Sequence, residues 1–241
     1  MQFHIISIFP EYFNGPLSCG TLRIGQEKGA IKVNIINPRD FVSDGIVDDY
    51  QFGGGAGMVL KLEPILRAIN SVRSEKSIII NFAPTGKLLT QGFVNELVKK
   101  NEIILICGRY KGIDERLCKL CPLEEISIGD YVFSGGEVAA LILLETVTRL
   151  LPGVLGNIDS AEADSLQNGL LSAPIYTRPA NFKNLSVPQV LLSGDHQAVA
   201  RWRRKKAIES TLKKRPELLP EVNFSASDLD ILLEVLNDKN A

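Results

Sequence analysis

Three glycine-bearing loops and one basic stretch hold the residues of this chain that could do chemistry. Between Glu124 and Glu137 the sequence reads EEISIGDYVFSGGE, an apolar strand running into a turn with Gly129, Gly135 and Gly136 inside eight residues. Glycines this dense let backbone amides and carbonyls approach a ligand that side chains would hold off. CGRYKGIDER, Cys107–Arg116, follows another apolar run, and Asp48-Asp49 precede a cluster of glycines at residues 52–58. Loops placed after strands of an open α/β sheet are where ligands gather, so the three are expected to converge on one pocket. From Arg201 to Arg215 there are eight Lys or Arg and one acid, so that stretch carries +7 and the rest of the chain −8. Trp202, the only tryptophan, lies within RWRRKK. An aromatic ring among guanidinium groups suits an unpaired base flanked by phosphates.

Other chemistries have little support. The two histidines are His4, inside a strand pattern, and His196, so acid–base work falls to carboxylates, Lys, Tyr or Cys. Cys118 and Cys121 form a lone CxxC without a second pair or a neighbouring histidine, which reads as packing rather than zinc or redox chemistry. No GxGxxG follows the first strand, and Gly86-Lys87 lacks the Ser or Thr and the upstream glycine of a P-loop. No apolar run reaches the length of a membrane span, and MQFHIISIFPEYF lacks a basic region ahead of an apolar stretch, so a cytoplasmic location is expected.

The elements that would position these loops follow from periodicity. Strand patterns cover Phe3–Phe9, Ile31–Asn37, Ser77–Ala83, Glu102–Cys107 and Glu124–Ile128. Helical patterns lie near Glu11–Lys28, Glu63–Val72, Thr90–Lys100, Ile113–Leu120 and Val138–Leu151. Alternation of this kind predicts an α/β fold, a parallel sheet with helices on both faces. SIIINFA and EIILICG read as central strands buried on both sides. After Leu151 the pattern changes. Residues 157–168 are small and polar, and read as a mobile linker between a domain at 1–156 and a small helical domain at 169–241. The last helix is expected to be capped by Ser227 and to bury Leu229, Leu232, Leu233 and Leu236 on one face.

Taken together, FPEYF, VDDYQFGGGAGM, CGRYKGIDER, IGDYVFSGGE, RLLPGVLG, SAEADS, YTRP at Tyr176–Pro179, SGDHQAVARWR and RPELL at Arg215 resemble the bacterial tRNA (guanine-N1)-methyltransferases, the TrmD family of the SPOUT class. The strings run in the family's order over nearly the whole chain. The resemblance implies a deep trefoil knot at the end of the α/β domain, S-adenosylmethionine as methyl donor, and an obligate homodimer with a composite active site. The acceptor it implies is N1 of the guanosine 3′-adjacent to the tRNA anticodon, in the anticodon stem-loop. Carried onto matching positions, the cofactor would lie among Pro84, Gly108, Ser127, Ile128, Gly129, Asp130, Tyr131, Val132, Phe133, Gly135 and Gly136. Asp164 matches the general base that takes the N1 proton, and Arg149 matches the guanidinium that stabilises charge on guanine O6. Asp48, Arg109, Arg201, Trp202 and Arg203 are candidates for holding the RNA.

One residue departs from the family pattern. Where the family usually has glutamate, giving GRYEG, this chain has Lys111. A protonated lysine cannot coordinate a divalent metal, so a weaker magnesium requirement is expected. Ala163 also replaces an acid beside Asp164. No metal ligand is assigned. Two rival readings share the sequence features: a knotted methyltransferase acting on ribose, and a non-catalytic tRNA-binding protein.

Overall fold

The computed structural model describes residues 1–156 and 164–238. The linker residues 157–163, with Asp159, Glu162 and Ala163, lie outside them. The chain divides into two compact units, Met1–Ile158 and Asp159–Ala241. The first runs β1 (Gln2–Ile6), α1 (Asn14–Leu17), α2 (Gly20–Glu27), β2 (Lys32–Ile36), β3 (Asp48–Tyr50), β4 (Met58–Leu60), α3 (Leu62–Asn70) and β5 (Ile78–Leu88). It continues with α4 (Gln91–Leu97), β6 (Glu102–Ile106), α5 (Leu117–Leu120), β7 (Leu123–Ser127) and α6 (Glu137–Thr148).

Five strands form one sheet in the order β2-β1-β6-β5-β7, and every pairing in it is parallel. The uninterrupted apolar run of β6 has a physical cause. Ile103 and Leu105 face one hydrophobic cluster with Phe3, Ile5, Leu143 and Val147, while Ile104 and Ile106 face a second with Ile6, Ile65 and Ile69. All four β6 side chains are fully buried, each contributing roughly 1.5–3 kcal/mol of transfer free energy. His4 is buried in β1, with Nδ1 3.4 Å from Asn34 Nδ2.

Several boundaries differ from those read in the sequence. Phe3–Phe9 ends as a strand at Ile6, because Ser7 turns its hydroxyl to Glu137. The Glu11–Lys28 pattern is broken into a 3₁₀ turn at Pro10–Phe13, α1 and α2. Extended Cys19 and Gly20, at φ 55°, interrupt it. Ile113–Leu120 is helical only in α5, since Leu60 pairs with the Gly112–Asp114 segment instead, through Leu60 N–H to Gly112 O at 3.0 Å and Asp114 N–H to Leu60 O at 3.2 Å. The β3–β4 hairpin was not anticipated. β5 runs five residues beyond Ala83, re-pairing with β7 after a register shift between Phe82 and Lys87. Of the CxxC pair, Cys121 packs in the core but Cys118 is exposed.

The second unit contains β8 (Asn181–Phe182), β9 (Leu185–Ser186), α7 (His196–Lys214) and α8 (Ala226–Asp238). It is therefore not purely helical. Lys183 and Asn184 both take positive φ, the geometry a two-residue hairpin demands. Of the segment read as a linker, Asp164–Asn168 turns back on itself, with Leu166 N–H donating to Leu170 O at 2.7 Å. Leu170, Ala207, Ile208, Val222, Ile231 and Val235 form the unit's core. The last helix is capped by Ser225 rather than Ser227. Asp228 N–H donates to Ser225 Oγ at 3.2 Å and Ser225 N–H to Asp228 Oδ2 at 3.0 Å, a reciprocal capping box. Ile231 and Val235 turn inward, while Leu229, Leu233 and Leu236 stay exposed. The four-leucine face expected in the core is thus mostly on the outside.

Candidate functional site

Register brings the irregular middle of β5 level with the carboxyl ends of β6 and β7. Asn81 pairs with Ile106 and Phe82 with Ile126, so Phe82–Pro84, Gly108–Gly112 and Ile126–Gly129 emerge side by side. With Tyr131–Gly136 and Ala139 they enclose a cavity of about 310 Å³. Such an edge is where open parallel sheets bind ligands. Five of its nineteen lining residues are glycines, Gly108, Gly112, Gly129, Gly135 and Gly136, so part of the wall is bare main chain. Gly136 N–H donates to Gly108 O at 2.9 Å, and Arg109 and Gly135 form an isolated β-bridge. A Cβ on Gly136 would come within 2.8 Å of Cys107 Cα, and one on Gly135 would run into the Arg109 side chain. Gly129 sits at φ 141° under the ring of Tyr131, whose hydroxyl donates to Ile128 O at 3.0 Å. Only glycine fits these positions. Tyr110 takes a left-handed φ of 61° at the cavity edge, a conformation that bulky residues adopt only where the surroundings enforce it.

A charged pair underlies the loop. Glu137, fully buried at the start of α6, accepts from Ser7 Oγ at 2.7 Å through Oε1. Its Oε2 lies 2.9 Å from Arg109 Nε, out of line for a hydrogen bond, so this contact is held by charge. The Arg109 guanidinium also lies over the Phe9 ring, 4.5 Å from its centroid. Burial, and then the Glu137 charge, push the Cys107 thiol well above its ordinary pKa, which keeps it neutral.

Ten of the eleven expected cofactor residues line this one cavity: Pro84, Gly108, Ser127, Ile128, Gly129, Tyr131, Val132, Phe133, Gly135 and Gly136. Asp130 does not. Arg109, expected at the RNA, lines it too, with its head turned to Glu137 and Phe9. Of the three glycine loops, the one at residues 52–58 does not reach this cavity, and only its Phe52 lines a separate hollow, with Asp49 and Tyr50. Lys111 lines both. Arg149 caps the carboxyl end of α6 and is not among the cavity residues. Asp48 lies in β3, opposite Leu60. Sequence reasoning did not single out Phe82, Ala83, Tyr110, Gly112, Ile126, Ser134 and Ala139 as cavity residues. For Phe82 and Ala83 the signal was their place at the end of the strand expected over Ser77–Ala83.

In the second unit Asp164 lines a cavity with Tyr176, Arg178, Arg203 and Arg204. Trp202 is half-buried with its ring 6.4 Å from that of Tyr176. The basic stretch is less free than its charge suggests. Arg201 and Lys205 pair with Glu234, Arg204 with Asp228 at 2.6 Å, and Lys206 with Glu209 at 2.6 Å. Arg203 remains exposed. Among the described residues no group of three or more His, Cys, Asp or Glu is placed to hold a metal ion. No described helix is long and apolar enough to cross a membrane.

The comparison with known families decides what kind of chain carries these features. The family model described as tRNA (Guanine-1)-methyltransferase TrmD matches residues 1–221. The chain belongs to this family. A protein of Dictyoglomus turgidum named tRNA (guanine-N(1)-)-methyltransferase is 47% identical over 237 residues, 98% of this chain and 96% of the relative. Proteins of the same name from Geotalea uraniireducens and Carboxydothermus hydrogenoformans are 46% identical over 239 residues and 48% identical over 221 residues. They cover 98% and 91% of this chain, and the chain covers 97% and 87% of them. The TrmD family match therefore takes in the glycine-walled cavity and α7, and stops short of α8.

Proposed function

We propose that the protein transfers a methyl group from S-adenosylmethionine to N1 of the guanosine 3′-adjacent to the tRNA anticodon. The observation that carries this reading is the glycine-bearing cavity beside the register shift of β5 and the carboxyl ends of β6 and β7, in a chain of the TrmD family. A cleft walled by glycines and floored by apolar strand ends suits an adenosine with a methionine tail, which is recognised by backbone amides and carbonyls and by apolar contact. The donor, once bound, supplies an electrophilic methyl group on a sulfonium.

The chain's own residues do the rest. Guanine N1 is a weak acid, and its lone pair is available for attack only as the proton leaves. The Asp164 carboxylate takes that proton, an assistance of roughly 10²–10⁴-fold. Negative charge then grows on guanine O6, where the Arg149 guanidinium donates to it. The target base has to leave its stack to react. Trp202 and Arg203 on α7, with Asp48 on the β3–β4 hairpin, hold the anticodon stem-loop. Arg201 and its neighbours supply salt-dependent attraction to phosphates. Arg109 shapes the cofactor loop from below. This reading brings with it the family's trefoil knot, a homodimer whose subunits together complete the site, a cytoplasmic location, and residues 169–241 as the tRNA-binding part.

Asp164→Ala tests the assignment of the base. Transfer should fall by at least 100-fold while S-adenosylhomocysteine binding, followed by calorimetry, is unchanged. Full transfer by the variant would remove Asp164 from the chemistry.

A further inference from the structure

Nineteen residues line the cofactor cavity, and only two of them carry charge: Arg109 and Lys111. Neither an Asp nor a Glu is among them. The guanidinium of Arg109 is turned to Glu137 and the Phe9 ring, beneath the loop. Lys111 is exposed and, among the described residues, makes no ion pair. Its position is built. Lys111 N–H donates to Met58 O at 3.0 Å, fixing the backbone to β4. Its aliphatic stem lies across Gly57, where a Cβ would stand 3.0 Å from Lys111 Cγ and 3.2 Å from Cε. Gly57 itself takes φ 99°, so the glycine loop at residues 52–58 clears the path along which the lysine lies. This gives the third glycine loop a role that the cavity lining alone does not.

S-adenosylmethionine carries a carboxylate at its methionine end, the one full negative charge on the donor. We propose that Lys111 is the anchor for that carboxylate, so that the donor is oriented by a lysine and its binding takes no divalent cation. The inference rests on the reading of the cavity as the donor's site. An ammonium at the rim draws the carboxylate towards it and turns the donor's own ammonium towards main-chain carbonyls. The adenosine end is then left to the glycine walls. Lys111 is a donor-binding residue here. It touches the cofactor tail, not the reacting atoms.

The test compares two ligands that differ at that tail: S-adenosylhomocysteine, which has the amino-acid head, and methylthioadenosine, which lacks it. Each is titrated calorimetrically into the wild-type full chain, Lys111→Met and Lys111→Arg, in EDTA and in magnesium. Lys111→Met should weaken S-adenosylhomocysteine about tenfold, the scale of one partly exposed charge-assisted hydrogen bond, and leave methylthioadenosine unchanged. Lys111→Arg should restore most of the loss, and EDTA should change nothing in the wild type. Equal weakening of both ligands in Lys111→Met, weakening of neither, or wild-type binding that depends on magnesium would overturn the anchor while leaving the donor site standing. Wild-type protein that binds neither ligand would overturn the donor site, and the anchor with it.

Discussion

Gly136→Ala is the sharpest probe of how the cavity is built. Gly136 has φ −71° and ψ −5°, an ordinary helical conformation, so alanine costs nothing in backbone strain. The new methyl would instead meet main chain: Cys107 Cα at 2.8 Å, Gly108 N at 3.1 Å and the Cys107 carbonyl carbon at 3.3 Å. None of these atoms can swing aside as a flexible side chain could. Relief requires α6 and the end of β6 to part by roughly 0.5–1 Å, and overpacking of this kind costs about 1–3 kcal/mol. The 2.9 Å hydrogen bond from Gly136 N–H to Gly108 O stretches in the same movement, adding about 0.5–1.5 kcal/mol. Alanine recovers about 0.4–1 kcal/mol by restricting the unfolded chain. A net loss of about 1–3 kcal/mol in denaturant unfolding is expected, with S-adenosylhomocysteine affinity reduced at least tenfold because the displaced atoms are cavity wall. Gly15→Ala, where a Cβ meets nothing within 4 Å and φ is not positive, serves as the control and should gain about 0.4–1 kcal/mol with affinity unchanged. Unchanged stability and affinity in Gly136→Ala would refute the close approach of α6 to Cys107–Gly108 on which the site description depends.

Glu137→Gln should destabilise by about 3 kcal/mol, because it leaves the Arg109 guanidinium in a largely buried place without its counter-charge. The double variant Arg109→Met/Glu137→Leu should lose less than the sum of its single changes in denaturant unfolding, and additivity would argue against the pair. In the second unit, hydrogen bonds from Arg204 hold the Asp228 carboxyl down at about 2, against the opposing effect of burial. An unfolded aspartate titrates near pH ~3.9, so this pairing contributes fully above that value and is lost as pH falls through the folded value, a change of about 2 kcal/mol. Unfolding followed through Trp202 should thus be steeply pH-dependent between about pH 5 and pH 2, and Asp228→Asn should flatten that dependence.

The sheet and the cavity were legible because their signals are local. The Ile103–Ile106 run can be buried on both faces only in a central parallel strand, and three closely spaced glycines at 129–136 mark a wall made of backbone. Tertiary contact explains the misses. Ile113 and Asp114 have a helix-compatible pattern but bond to Leu60, which periodicity cannot show. Ser225 and Ser227 are equally good caps by type, and only the return bond from Asp228 selects between them. Leu229, Leu233 and Leu236 lie outside because the face with Ile231 and Val235 packs on Ala207 and Ile208. The pairing of the basic stretch was hidden because its partners, Asp228 and Glu234, arrive from a helix 24 to 33 residues later. Arg109 faces inward for the same reason: Glu137 is remote in sequence and adjacent in space. The roles proposed for Asp164 and Arg149 have no local signal, and rest on resemblance alone.

The central claim is tested most directly by identifying the nucleoside made from an unmodified tRNA transcript and labelled S-adenosylmethionine. N1-methylguanosine at the position 3′ to the anticodon is the predicted product. A ribose-methylated nucleotide there, or bound tRNA with no transfer at all, would contradict it.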